Sequence, residues 1–172
     1  MVRGRPTGRE WCLTLVVDTA ELAKLAPELM ARHPGYTWTV LSAGGPATDL
    51  QAEVRPVADP SRMATVQVHA GAEVYSVIFE GHIDIDYAYQ DEDRREALQG
   101  RIDLAVAATR GPTRVALRLA GDVVVRSELV VDPDGPNRLE VVTASWPLRH
   151  LKALLRGRTL VEKIVDLPAI ER

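Results

Sequence analysis

Within residues 63–89, and again within 113–131, β-rich runs follow one another across very short links, at Ala70-Gly71-Ala72, at Gly81 and in the loop at Gly121-Asp122-Val123. Links this short join antiparallel neighbours, because a parallel pair needs a crossover of about a dozen residues or more. Residues 63–69, 73–80 and 82–89 therefore read as a meander, and 113–119 with 123–131 as a hairpin. In that hairpin a three-residue loop opposes Leu119 with Val125, Leu117 with Ser127 and Val115 with Leu129. A two-residue loop would instead set Leu117 against Arg126, so the apolar pattern favours the longer loop.

The remaining punctuation supplies helices and further strands. Residues 1–9, rich in Gly, Pro and Arg, read as a loose arm, and 10–17 as a first strand holding Trp11 and Cys12. Asp18 and Glu21 resemble a capping box for a helix with the stripe Leu22, Leu25, Ala26, Leu29 and Met30, in which Pro27 predicts a kink or a break. Residues 36–41 follow as a strand, and 44–60 as the longest irregular connection. Asp91, Glu92 and Asp93 suit the positive end of a helix dipole, and the helix they open runs to Gly111-Pro112. After a turn at 132–137 and a strand at 138–143, Ser145 caps a helix ending at Gly157. Thr159 with Glu162 caps another, carrying Leu160, Val161, Ile164 and Val165 and stopped by Pro168. The expected architecture is α+β: residues 10–172 as a single domain, with a mainly antiparallel sheet of about six to eight strands and about three to four helices packed against it.

Composition narrows the function classes. At 172 residues, 46% hydrophobic and 26% charged, the chain has the make-up of an ordinary globular protein. Its formal charge of −3 argues against general nucleic-acid binding, which needs clustered Lys and Arg to neutralise phosphates. Only Lys24, Lys152 and Lys163 are lysines, and the scattered arginines match a GC-rich coding genome better than a recognition surface. A lone cysteine, no apolar leader behind the basic start and no window of membrane-spanning length point to a cytoplasmic setting.

Chemistry concentrates in residues 80–96. As a strand, 82–89 sends His82, Asp84 and Asp86 to one face and Ile83, Ile85, Tyr87 and Tyr89 to the other, with the carboxylates expected outside and the bulky apolar groups inside. Seven acidic residues here, from Glu80 to Glu96, outnumber Arg94 and Arg95 by five charges. A locally negative surface of this kind can steer a basic protein partner, and the leading expectation is a non-enzymatic binding protein of immunity, adaptor or chaperone-like type. Its recognition patch comprises Asp84, Asp86, Tyr87, Tyr89, Asp91, Glu92 and Asp93, with no cofactor.

The rival reading is a small enzyme or ligand-binding protein with a sheet-lined pocket. There His82 transfers protons and Asp84 or Asp86 orients it or shares a metal. Alternate strand residues stand about 6.5–7 Å apart, so a third ligand would have to come from a neighbouring strand. Arg149, Lys152 and Arg156 on one face of the penultimate helix form a weak anion-binding candidate. That basic helix meeting the acidic patch of a second copy would make a homo-oligomer. Trp11, Trp38 and Trp146 read as core anchors, while His33 and His69 stand at element ends without an evident partner.

Overall fold

The computed structural model describes residues 19–41, 48–69, 71–136, 138–145, 148, 151, 152, 155, 157 and 159–170. The expected arm, the strand at 10–17, Trp146, Arg149 and Arg156 fall outside these residues. The fold is α+β and antiparallel throughout, but with two sheets in place of one. Strands β1 (Tyr36–Leu41), β2 (Thr48–Pro56), β3 (Ala64–His69), β4 (Val74–Phe79) and β5 (His82–Tyr87) form the first sheet in that order. Strands β6 (Thr113–Ala120), β7 (Val123–Val131), β8 (Leu139–Ser145) and β9 (Leu160–Leu167) form the second, in the order β8-β7-β6-β9. Two complete helices, α1 (Thr19–Met30) and α2 (Asp91–Arg110), stand among the described residues in place of the three to four expected, and residues 148, 151, 152 and 155 also lie on helical backbone.

The first sheet follows its alternation. Leu50, Ala52 and Val54 of β2, Ala64, Val66 and Val68 of β3, and Tyr75, Val77 and Phe79 of β4 are buried, and their registers place them on one inner face. Helix α2 lies against β2, β3 and β4 through Leu98, Ile102 and Ala105, and α1 adds Leu22, Ala26 and Leu29. This is the apolar stripe expected for the first helix. The helix is nevertheless continuous through Pro27, because packing of that stripe compensates the one backbone bond that proline cannot make.

Three expectations are corrected. Residues 48–56 are a nine-residue strand, not irregular chain: Leu-Gln-Ala-Glu-Val-Arg alternates apolar with polar, and Pro56 sits at the strand's last position, where a missing donor costs least. Residues 160–167 are a strand, not a helix. Pairing with β6, which matches Val115 with Val165 and Thr113 with Leu167, outweighs the capping-box pattern, and Arg114 Nε adds a 2.6 Å bond to Asp166 across the pair. The β6–β7 hairpin, finally, turns on two residues and not on the expected three, and Leu119 does not pair with Val125. Ala120 pairs with Val123 across a two-residue turn, and a bulge beyond Leu119, which pairs with Val124, restores Leu117 opposite Ser127 and Val115 opposite Leu129.

The sheets meet at the β4–β5 turn. Val115, Leu117 and Leu129 of the second sheet join the same buried cluster as the first sheet's inner face. Gly81 has a φ of +82°, and a Cβ there would lie 3.3 Å from Leu117 Cδ1. Both constraints act against any other residue, so Gly81→Ala is expected to lose about 1–2 kcal/mol in urea unfolding. A loss under about 0.5 kcal/mol would show that the turn relaxes freely.

Candidate functional site

Among the described residues strand β5 pairs only with β4 within the first sheet, and its two faces are the reverse of those expected. Its pairing matches Phe79 with His82, Val77 with Asp84 and Tyr75 with Asp86, which puts His82, Asp84 and Asp86 on the inner face. His82 is 0% exposed, and its Nδ1 lies 2.9 Å from Ser127 Oγ on β7. Its Nε2 is buried with no partner among the described residues. Burial pushes the imidazole pKa below its ordinary 6.5, and the nearby Asp84 carboxylate only partly offsets this. His82 is thus a neutral bolt between the two sheets, remote from solvent.

The two aspartates are held as well. Arg101 of α2 reaches across the inner face, bonding Asp84 through Nη1 and Asp86 through Nη2 at 3.5 Å. An arginine therefore occupies the carboxylates that a metal or a proton-transfer partner would need. Among the described residues no three His, Cys, Asp or Glu side chains are grouped to hold a metal ion. Alternation divides a strand into two faces but does not say which is covered. Here Arg101 and Ser127, from other elements, make the polar face internal.

Turned outward instead are the apolar and aromatic groups. Ile85 is 48% exposed, Tyr87 55% and Tyr89 70%, and the two tyrosine rings stack with centroids 5.9 Å apart and planes 13° apart. The register adds neighbours on this face: Ile83 opposite Ile78, Ile85 opposite Ser76 and Tyr87 opposite Val74. Just beyond Tyr89, Glu92 and Asp93 are exposed at the start of α2, whereas Asp91 is partly buried and pairs with Arg94 at 2.9 Å. Of the anion-binding candidate only Lys152 lies among the described residues. Lys152 is exposed on helical backbone, and Leu148 and Leu155 beside it are 81% and 80% exposed instead of facing a core.

A second site brings together residues that are far apart in sequence. At the C-terminal end of α2, His33 Nε2 lies 3.0 Å from Asp103 Oδ1. The same oxygen accepts 2.7 Å from Gln99 Nε2, while Gln99 Oε1 accepts 2.9 Å from Arg32 Nη1. An ionised carboxylate only accepts, so His33 donates through Nε2 and keeps Nδ1 as its remaining polar atom. Alongside, Tyr36 Oη donates to the Val106 carbonyl at 3.3 Å. Burial raises the Tyr36 pKa, against a lowering by the nearby Arg110 charge. Residue spacing offered no signal for this group, since His33 and Asp103 are 70 positions apart.

No helix among the described residues is long and apolar enough to cross a membrane. Comparison with known protein families, curated proteins and solved structures returns no match.

Proposed function

We propose that this chain is a macromolecule-binding protein, and that the outer face of β4–β5 docks a protein bearing a basic surface. The observation that carries this reading is the outward display of Ile85, Tyr87 and Tyr89, three large side chains that an isolated globular fold gains nothing by exposing. Because Tyr87 and Tyr89 already stack on each other, little side-chain entropy remains to be lost when a partner covers them. Glu92 and Asp93 supply the electrostatic complement. A partner's arginines or lysines can approach these carboxylates while resting on the tyrosine faces. Asp84 takes no direct part in this reading, since Arg101 already neutralises it.

The test is capture with a photoreactive residue at position 89, followed by affinity measurement on the captured partner. Tyr87→Ser with Tyr89→Ser is expected to weaken binding at least 30-fold, mostly through faster dissociation, and Glu92→Lys with Asp93→Lys to slow association and flatten its salt dependence. Unchanged affinity in the tyrosine double variant would overturn the reading. So would a salt-sensitive dimer by light scattering that the same variant turns into monomers, since the occupant would then be a second copy.

A further inference from the structure

A cleft of about 560 Å³ opens between the turn after α1 and the last turns of α2, lined by Arg32, His33, Tyr36, Val106, Arg110 and Ile170 among others. It shares His33, Val106, Arg110 and Ile170 with a neighbouring hollow of about 480 Å³ that adds Asp103. Each volume falls within the range of about 300–1,000 Å³ usual for small-molecule sites. We propose that this cleft binds a small organic carboxylate with an apolar body.

Three features argue for that chemistry. Arg110 faces the cleft with no carboxylate bonded to it among the described residues, whereas Arg55, Arg62, Arg94, Arg101, Arg114 and Arg126 each pair with one. A guanidinium fork is matched to a carboxylate, which it can bind through two parallel bonds. Apolar walls come from Val106, Ile170, Pro34 and Pro56, which would hold the body of such a ligand away from water. The Arg32–Gln99–Asp103–His33 chain of hydrogen bonds, finally, fixes the imidazole beside Arg110 before any ligand arrives. Its Nδ1 can then take a hydroxyl or N–H from the ligand body. The cleft lies at the end of α2 opposite Asp91, so occupying it does not compete with the β4–β5 face, and the two readings stand or fall separately.

Benzoate is a suitable probe, with benzamide as its uncharged counterpart of the same shape, read by amide chemical shifts of the full chain. Benzoate is expected to shift Arg32–Tyr36, Val106–Gly111 and Ile170 and to saturate, with benzamide at least tenfold weaker. Arg110→Gln should weaken benzoate at least tenfold with an unchanged melting temperature. Arg118→Gln, an equal loss of charge on an exposed β6 position, should leave affinity within twofold. Equal binding of benzamide, retained benzoate affinity in Arg110→Gln, or the same loss in Arg118→Gln would each overturn the assignment.

Discussion

At pH 7 the His82→Ala protein is expected to be about 3 kcal/mol less stable than the wild type, since deleting a fully buried ring leaves a cavity and removes the partner of the Ser127 hydroxyl. The penalty should shrink as the medium is acidified. Burial depresses the folded-state pKa of His82 below the ordinary 6.5, so in that range the unfolded chain binds the proton more readily than the folded one. The stability contributed by the neutral ring is complete above pH 6.5. It is lost as the pH falls from there through the folded-state value, at up to about 1.4 kcal/mol per pH unit. His82→Leu, which fills the space without titrating, removes this slope. Urea unfolding of the three proteins between pH 8 and 5 measures it, and parallel curves for wild type and His82→Leu would refute a buried neutral imidazole.

The second large effect is expected at Arg62, a guanidinium only 8% exposed that ties the end of β9 to the end of α2. Its Nη1 donates to the Pro168 carbonyl at 2.7 Å and to the Thr109 carbonyl at 3.4 Å, and its Nε donates to Asp59 at 3.0 Å. Carbonyls in the last turn of a helix have no partner within it, so Arg62 satisfies a group that α2 cannot. Gly111 belongs to the same junction: at a φ of +69°, a Cβ there would stand 2.6 Å from the Pro168 oxygen. Arg62→Met keeps much of the volume and loses every donor, at a cost of about 2–3 kcal/mol. Exchange of the Ile170 amide, which donates to the Arg110 carbonyl at 2.9 Å, should accelerate in parallel. Protected exchange at Ile170 in this variant would mean that residues 168–170 are held by other contacts.

Legibility in the sequence followed the range of the forces involved. Helix α2 could be bounded from Asp91 to Arg110 because an acidic first turn and Gly111-Pro112 act locally. The meander and the β6–β7 hairpin were readable because their turns are short. β9 was not, since Leu160, Val161, Ile164 and Val165 also suit a helix and only the edge of β6 decides between the two. The bulge that reconciles turn length with register is likewise a tertiary compromise. At β5 the alternation was right and its orientation reversed, because Arg101 and Ser127, which make the polar side internal, lie on other elements. The cleft at His33 was beyond reach for the same reason: Asp103 and Arg110 approach it only after α2 has packed on the first sheet.

The position of β9 bears on how the chain emerges from the ribosome. Of the described strands it is made last, yet it takes one full side of β6, whose other side holds β7. A nascent chain halted before residue 160 therefore presents β6 as a bare hydrogen-bonding edge, the kind of surface that recruits chaperones or pairs with a neighbour. Release of the closing segment ends that exposure, and Arg62 then fastens it to a stretch of chain translated long before.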